Sequence, residues 1–363
     1  MKRNVYLTIL FCLVLSLTIS AQKISKPTLT PTAATAAQKQ LINEGIKFHD
    51  LKQYDEAIKK YEQVLKENPN NDEALYEMAL SFYNKKDARN ASETAYKLIR
   101  YKSNLGFLGY GLIANVLDDS GKPKEAIEIY QKVIKQLEGD AEFQSHLSSL
   151  YFNLGITHYR QKQYKEAREA AKKAVQMDFK YPSPNYLLAV VYHGTKYKIP
   201  ALLAASRLIS LELNTQRTKQ SVAIFLDILN GAKRDEKTGN INIFLDLNAP
   251  KDEGDFGTYD LILGTLTTVK SDEDKNKTEN EIFAEAVDTV ISLLAEDKKL
   301  ASTFVGKTYV PYMVEMKKQG FSKTFAYLVL QQNGNKEAEK WLNENNQQNL
   351  NFINWAKNYR LKQ

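Results

Sequence analysis

The sequence predicts an all-α protein in which a solenoid of about five helix pairs precedes a mainly helical C-terminal domain. One segment, Lys52-Gln-Tyr-Asp-Glu-Ala57, returns as Lys162-Gln-Tyr-Lys-Glu-Ala167. Small residues also recur at spacings of 34, 35, 41 and 34, at Ala57, Ala91, Ala126, Ala167 and Ala201. A period near 34 residues is typical of stacked helix pairs, which cannot bury their apolar faces singly.

Residues 1–21 predict a secretory signal peptide, and residues 22–37 a linker. Lys2 and Arg3 precede an apolar segment from Val5 to Ile19, and Ala21 suits cleavage before Gln22. An uncleaved anchor is the alternative. No later apolar stretch approaches about 18 residues, so no integral membrane span is expected after cleavage.

The position of the single cysteine indicates in which cellular compartment the protein works. The one cysteine of the chain, Cys12, lies inside the predicted signal, so a mature chain would lack disulfides and thiolate chemistry. Export without disulfides favours the periplasm or cell envelope of a Gram-negative bacterium, with secretion as the alternative.

The charge is spread along the chain. The net charge of +7 divides into +4 for residues 1–37, +4 for residues 38–215 and −1 for residues 216–363. Nucleic-acid binding needs a concentrated basic stripe, and the sequence has none. We therefore expect no nucleic-acid partner.

Residues 38–215 resemble the tetratricopeptide repeat family. In the first repeat the family's pattern falls on six positions, Leu41, Gly45, Phe48, Ala57, Tyr61 and Pro69. The fourth repeat offers Tyr151, Leu154, Gly155, Ala167, Ala171 and Ala174. The resemblance implies pairs of antiparallel helices whose first helices line a concave, peptide-binding face. A surplus of seven residues around 136–146 fits either a longer helix or an enlarged loop.

The family's groove positions carry mainly aromatic and apolar side chains here. The resemblance places partner-binding residues at Tyr76, Tyr83, Asn115, Phe152, Asn153, Tyr159 and Tyr186. Ile42, Ile46, Gly111 and Asp118 occupy further groove positions. Because Ile42 and Ile46 stand where carboxylate-clamp members have Lys and Asn, a clamp is not expected. Aromatic side chains suit an extended peptide or an amphipathic helix. Covering of this groove by the C-terminal helices is the alternative.

Residues 216–363 show helical patterns without a named family. The apolar spacing of Ser221–Leu229 predicts a helix that caps the array, and later patterns lie at about 258–268, 280–297, 307–319, 322–332, 335–344 and 348–360. Loops are expected at about 231–257 and 271–280. Ile241–Leu247 fits either a short strand or an extended connector.

No catalytic, cofactor or metal motif is found. The four histidines lack the i, i+4 spacing of a helical metal site. Asp272, Asp274 and Asn276 resemble the start of a calcium loop, but Lys277 and Phe283 stand where Gly and Glu are required. Phosphate loops and nucleophile elbows are also missing from the sequence.

These observations predict an exported, non-enzymatic scaffold or adaptor that binds a protein or peptide partner and carries no cofactor or metal. The oligomeric state does not follow from the sequence. The alternative is an enzyme or small-ligand module in residues 216–363, where Asp246, Asp255 and Asp260 flank loops.

Overall fold

The computed structural model describes residues 27–139, 144–234, 241–243, 250–266 and 272–361. The predicted signal peptide and the first part of the linker lie outside these ranges. Within them, no helix combines the length and the apolar character needed to cross a membrane.

Ten helices form five antiparallel pairs. The first helices of the pairs are α1 (Ala36–Asp50), α3 (Asp72–Asn84), α5 (Asn104–Asp119), α7 (Gln144–Arg160) and α9 (Pro182–Gly194). The second helices are α2 (Tyr54–Glu67), α4 (Ala88–Leu98), α6 (Pro123–Leu137), α8 (Tyr164–Met177) and α10 (Lys198–Leu211). At 17 residues α7 is the longest of the ten, so it takes up part of the surplus before the fourth pair. Residues 140–143 of that surplus lie outside the described chain.

Each pair is joined by the same backbone turn. The second residue after the first helix adopts a left-handed conformation, with φ of 60° at Lys52, 70° at Lys86, 78° at Gly121, 59° at Lys162 and 68° at Lys196. The next N–H then donates to the carbonyl five residues earlier, as in Gln53 to Phe48 at 2.9 Å and Gln163 to His158 at 3.0 Å. This is the Schellman arrangement, which satisfies carbonyls at a helix C-terminus. The repeated Lys-Gln-Tyr segment is therefore the turn itself.

Small residues let the paired helices approach closely. Ala57, Ala91, Ala126, Ala167 and Ala201 all have 0% exposed surface. At Gly45 of α1, an added Cβ would lie 2.4 Å from Cε1 of Tyr61 in α2. The glycine thus provides the space that the tyrosine ring fills, and no larger residue fits without rearrangement.

The repeat series continues one helix beyond residue 215, where the sequence analysis ended it. Helix α11 (Gln216–Leu229), capped by Thr215, packs on α9 and α10. Gln220 contacts Tyr186, and Asp227 Oδ2 lies 2.9 Å from His193 Nε2; both pairs are 34 residues apart. Helix α11 therefore follows the register of an incomplete sixth repeat, and the helix predicted over Ser221–Leu229 is present as part of it.

The described part of the linker is hydrogen-bonded to the repeats. Thr28 and Leu29 donate backbone hydrogen bonds of 2.9 Å to the carbonyl of Arg100, and Thr32 donates to Asn70 at the same distance. Residues 27–34 thus run along the loops that join repeats one to three. Thr35 ends this segment by capping α1 in a capping box with Gln38.

The C-terminal domain is helical, with one small hairpin. Strands β1 (Ala232–Arg234) and β2 (Ile241–Ile243) pair antiparallel, so the strand interpretation holds for residues 241–243. The helices are α12 (Gly257–Leu266), α13 (Glu279–Glu296), α14 (Phe304–Thr308), α15 (Val310–Lys318), α16 (Ser322–Gln332), α17 (Lys336–Glu344) and α18 (Asn346–Asn358). Short 3-10 helices cover Asp272–Asn276 and Lys298–Ser302. The predicted helical patterns are confirmed, except that 307–319 divides between α14 and α15.

The C-terminal domain docks on α8, α10 and α11, and it also reaches α9, where the Tyr309 hydroxyl donates a 2.8 Å hydrogen bond to the buried Asn185. Arg207 of α10 has 0% exposed surface, lies between the rings of Phe179 and Tyr312, and donates to the carbonyl oxygen of Ala356 in α18. On α8, Arg168 pairs with Asp252 at 2.6 Å. These contacts join the two parts of the chain through one apolar core.

Candidate functional site: the concave face

The first helices form the inner layer of the solenoid. Each of α1, α3, α5, α7, α9 and α11 packs on the next first helix in the series. Direct contact between first helices of successive repeats places them on the short, concave side of a curved array. The seven predicted partner-binding residues all lie on these helices.

Three of the predicted aromatic residues are half-buried among neighbouring side chains of this layer. Tyr76 packs beside the buried cluster of Leu75, Leu98 and Tyr101. The ring of Phe152 meets that of Tyr181 edge-on, with centroids 5.6 Å apart. Tyr159 contacts Tyr164 at 5.8 Å between ring centroids. Each of the three keeps part of its ring accessible.

Tyr186 marks the end of the concave face. Its hydroxyl is hydrogen-bonded to Gln220 of α11, and the Arg217 guanidinium lies 6.0 Å from its ring centroid. Burial raises the pKa of Tyr186, and the neighbouring Tyr159 adds to this effect. Tyr159 of α7 and Tyr186 of α9 thus lie on successive first helices that pack together.

Tyr83 belongs to a polar network rather than to an apolar one. Its hydroxyl donates to Asp119 at 2.8 Å, and Arg160 bonds both Asp118 at 2.8 Å and Asp119 at 3.1 Å. Burial and the hydrogen bond to Asp119 raise the pKa of Tyr83 to about 12. The Asp118 side chain is 5% exposed, although it occupies a groove position. Sequence reasoning missed Asp119 and Arg160, because only the inter-helix geometry brings them together.

The two predicted asparagines are half-buried and differ in their contacts. Asn115 Oδ1 accepts a 2.7 Å hydrogen bond from the buried Tyr130 hydroxyl. The backbone carbonyl of Asn153 accepts from Thr157 at 3.2 Å. Asn115 is thus held in place by the second helix of its own repeat, while the role of both side chains toward a partner stays a prediction.

Two further groove positions are not part of the accessible face. Ile42 has 0% exposed surface and lies in the core of the first repeat with Ala57 and Tyr61. Gly111 is buried, and a Cβ added to it would lie 3.4 Å from Leu150. The family register cannot anticipate this burial, since it depends on how far successive first helices rotate.

The contacts described for the predicted groove side chains are made within the helical array. Six of the predicted groove residues have a described hydrogen bond or ring contact, namely Tyr83, Asn115, Phe152, Asn153, Tyr159 and Tyr186. The partner in each of these contacts lies between residues 115 and 220. The C-terminal domain contacts α8 and α10 through Asp252 and Ala356, α9 through the buried Tyr309–Asn185 hydrogen bond, and α11 through Phe283 and Phe325. Covering of the groove by the C-terminal helices stays an alternative prediction, although the contacts described for these six groove residues go to the helical array.

The acidic site considered for the C-terminal domain gains no support. Asp246 lies outside the described residues, and the Asp260 side chain is likewise undescribed. Asp255 is exposed and pairs with Lys251 at 2.8 Å. Among the described residues no cluster of His, Cys, Asp and Glu has the geometry to hold a metal ion.

A charged cleft of about 370 Å³ does lie between α13 and α16. Its lining residues Lys277, Glu285 and Asp288 are engaged in ion pairs, at 2.6 Å for Lys277–Glu285 and 2.7 Å for Lys317–Asp288. The charges of the cleft are thus largely matched within the protein.

Family models decide the nature of the array. Residues 45–86 match a model described as TPR repeat, and residues 108–178 match one described as tetratricopeptide repeat. The chain contains tetratricopeptide repeats. Such repeats build scaffolds for protein–protein interaction, and the tetratricopeptide helix pairs of this chain have that architecture.

Several solved tetratricopeptide structures are similar to part of the chain. A thermophilic TPR protein of Thermus thermophilus is 18% identical over 52% of this chain and 99% of its own, with a TM-score of 0.43. PilF of Pseudomonas aeruginosa is 16% identical over 52% and 81%, with a TM-score of 0.44. MamA of Desulfovibrio magneticus is 19% identical over 53% and 97%, with a TM-score of 0.36. No curated protein matches the sequence significantly.

Proposed function

We propose that this protein is an exported, non-enzymatic scaffold that binds a segment of a partner protein along its concave face. The observation that carries the proposal is that the described contacts of Phe152, Tyr159 and Tyr186 go to residues of the helical array, while the C-terminal domain is attached at α8, α10, α11 and the buried Asn185 of α9. The inner layer of first helices therefore keeps its half-buried aromatic residues available to a partner.

The chemistry of the face favours an extended peptide or an amphipathic helix. Phe152, Tyr159 and Tyr186 offer large, stiff apolar surfaces, whose burial costs little side-chain entropy. The polar network of Tyr83, Asp119 and Arg160 lies beside them and supplies hydrogen-bonding groups. A partner segment would bury apolar side chains on the aromatic residues and fix its backbone on the polar ones.

Export is the part of the proposal that rests on the sequence of residues 1–21. Cell fractionation and N-terminal sequencing of the mature protein test it. A mature chain that begins at Gln22 in the envelope or periplasmic fraction is expected. A cytoplasmic chain that retains Met1 would contradict export and leave the concave-face proposal untouched.

Partner binding is tested by site-specific photo-crosslinking in the native cell. A photoreactive amino acid at Phe152 or Tyr186 should capture one recurring partner, whereas the same group at the exposed Glu62 on α2 should not. The double variant Tyr159→Ala/Tyr186→Ala should reduce the crosslink from Phe152. Leu350→Ala, which truncates an exposed side chain on α18 (45% exposed), is the matched control and should leave capture unchanged.

Two outcomes of the crosslinking experiment would overturn the proposal. Equal capture from Phe152 and Glu62, or undiminished capture by the folded double variant, would place the interaction surface elsewhere. Thermal unfolding of each variant separates loss of binding from loss of folding.

A further inference from the structure

A basic cleft lies where the linker meets the third repeat. It is formed by the loop before α5, the first turn of α5 and the C-terminal half of α6, and its volume is about 590 Å³. The described residues that line it are Pro27, Lys102, Phe107, Lys132, Lys135 and Gln136. Three of these six residues are lysines and none is acidic, so the cleft attracts anions.

The lysines of the basic cleft are accessible. Lys102, Lys132 and Lys135 are all exposed, and within the described chain Lys102 and Lys135 form no ion pair. Helix α5 begins beside Lys102, and the dipole of this 16-residue helix adds positive potential at its N-terminus. Lys102 and Lys135 are 33 positions apart in the sequence, so the charge pattern along the chain gives no sign of the cluster.

The basic cleft also has an apolar wall. Phe107 is partly buried against the apolar core of the third repeat and keeps part of its ring accessible, and Pro27 is half-buried. The methylene stems of the lysines can lie on such surface while their ammonium groups stay in water. Cationic and apolar groups side by side suit an amphiphile with a negatively charged head. A small inorganic anion would use only the lysines.

The linker enters the fold at this cleft. The N–H groups of Thr28 and Leu29 each donate to the carbonyl of Arg100 at 2.9 Å, and the Lys102 N–H donates to the carbonyl of Leu29 at 2.8 Å. These three hydrogen bonds hold the chain next to Pro27 against the loop that carries Lys102. The position of Pro27 in the cleft wall is thus set by the backbone.

The sequence before Pro27 favours a membrane as the source of the anion. It carries Lys23 and Lys26, and the apolar segment Val5–Ile19 ends eight residues before Pro27. Eight residues span at most about 29 Å when fully extended. A membrane that held this apolar segment would therefore lie within that distance of the basic cleft.

We infer that the basic cleft docks on a membrane surface that contains anionic phospholipids. The ammonium groups of Lys102, Lys132 and Lys135 donate to the headgroup phosphates, and Phe107 lies at the boundary between the headgroups and the acyl chains. This inference goes beyond the proposed function, because none of the predicted partner-binding residues lines the cleft. Lipid binding and partner binding thus use separate surfaces.

Vesicle flotation tests the inference with the chain that begins at Gln22. This chain keeps every described residue and lacks the segment Val5–Ile19, which would bind any bilayer. One set of vesicles contains phosphatidylcholine alone, and the other also contains about 30 mol% phosphatidylglycerol. We expect flotation only with the phosphatidylglycerol vesicles. It should be lost as the NaCl concentration rises from about 0.1 M to about 1 M, because salt screens exposed charges.

Two double variants separate the cleft from the overall charge. Lys102→Gln/Lys135→Gln should weaken partitioning about 30-fold, equivalent to about 2 kcal/mol for two lysines near an anionic surface. The matched control Lys124→Gln/Lys165→Gln removes the same charge from exposed lysines in the first turns of α6 and α8. Lys124 lies about 16 Å from Lys135 along α6, more than a Debye length at 0.1 M salt, so the control should float as wild type does. Thermal unfolding shows whether each variant is folded.

A single fluorescent label reports which surface meets the membrane. The chain from Gln22 has no cysteine, because Cys12 is the only one in the sequence. A polarity-sensitive fluorophore on Gln136→Cys, in the basic cleft, should shift to shorter wavelength on phosphatidylglycerol vesicles. The same label on Gln161→Cys, an exposed position in the turn between α7 and α8, should not shift.

Four results would overturn the inference. They are flotation that is absent or equal for the two kinds of vesicle, undiminished flotation of folded Lys102→Gln/Lys135→Gln, and a spectral shift at position 161 in place of position 136. The fourth is binding to poly-glutamate without binding to vesicles, which would make an acidic polypeptide the occupant of the cleft. Each leaves the proposed concave-face function untouched, because photo-crosslinking from Phe152 reports on that function separately.

Discussion

Arg207 Nη1 donates a 2.8 Å hydrogen bond to the carbonyl oxygen of Ala356, a residue 149 positions further along the chain. The same guanidinium donates through Nε to the carbonyl of Phe179 at 3.2 Å and stacks on Phe179 and Tyr312. It is a fully buried cation at the C-terminal end of α18, where the helix dipole favours positive charge. This side chain is thus one attachment of the C-terminal domain, beside the Arg168–Asp252 ion pair and the shared apolar core.

Replacing Arg207 should therefore lower the free energy of unfolding, because the side chain bonds both the helical array and the C-terminal domain. Arg207→Ala would leave the carbonyls of Phe179 and Ala356 without their donor and open a cavity, at a cost of about 3 kcal/mol or more. Arg207→Lys should recover only part of this, because a compact ammonium cannot bond both carbonyls and stack. Urea unfolding measures the loss, and Arg89→Ala on the solvent-exposed side of α4 should change stability by less than about 0.5 kcal/mol. A comparable loss in both alanine variants would contradict the assignment.

Replacing lysine with glycine should have opposite effects on stability in a left-handed turn and in a helix. Lys162→Gly should stabilise the protein by about 0.5 kcal/mol, since φ of 59° strains a residue that has a Cβ. Lys173→Gly, in the middle of α8, should destabilise it by about 1 kcal/mol. Gly121→Ala should also cost about 1 kcal/mol, although no atom lies within 4 Å of the new Cβ. Thermal unfolding of the three variants checks the signs, and a stabilising Gly121→Ala would refute the backbone argument.

The close approach of Gly45 to Tyr61 predicts that a side chain at position 45 destabilises the protein, and that the size of this loss depends on the Tyr61 ring. Gly45→Ala would place a Cβ 2.4 Å from the ring, so we expect a loss of about 2 kcal/mol. Gly194→Ala, at the end of α9 with no atom within 4 Å, is the matched control and should be neutral or slightly stabilising. Truncating the ring in Gly45→Ala/Tyr61→Leu should cost less than the sum of the two single changes. Strict additivity in denaturant unfolding would mean that the two residues do not interact.

The junction of α8 with the C-terminal domain should weaken in acid. Burial opposes ionisation of Asp252, but hydrogen bonds from Tyr197 and Arg168 prevail and lower its pKa below 3.8. A lowered folded-state pKa stabilises the protein above the unfolded value, and this contribution disappears as the pH falls through the folded value. The stability difference between wild type and Asp252→Asn should be constant above about pH 5 and shrink below about pH 4. A difference that persists unchanged at pH 2 would exclude a role for the Asp252 charge.

The repeat period made most of the helical fold predictable. The small residues and the Lys-Gln-Tyr segment locate every pair, because packing at each crossing and at each turn imposes its own residue preference. Helix α11 could also have been assigned to the series, since Tyr186 with Gln220 and His193 with Asp227 keep the spacing of 34 residues. Its signal was lost because the second half of the sixth repeat is replaced by strand β1.

The concave face was only partly predictable. Tyr159 and Tyr186 follow from the family register, but the burial of Ile42 and the pairing of Arg160 with Asp118 depend on the rotation between repeats. Contacts across long separations, such as Arg168 with Asp252, carry no local signal in one sequence. The position of the C-terminal domain therefore could not be derived from periodicity.

Helix α11 also limits what the solenoid can join. An incomplete repeat would ordinarily expose a face onto which another copy could stack, and repeated stacking of this kind produces fibres. Here Phe225 of α11 meets Phe283 and Phe325 of the C-terminal domain, with ring centroids 6.3 and 5.7 Å away. End-to-end growth through this terminus would first require displacing α13 and α16, so the domain that closes the array also fixes its length.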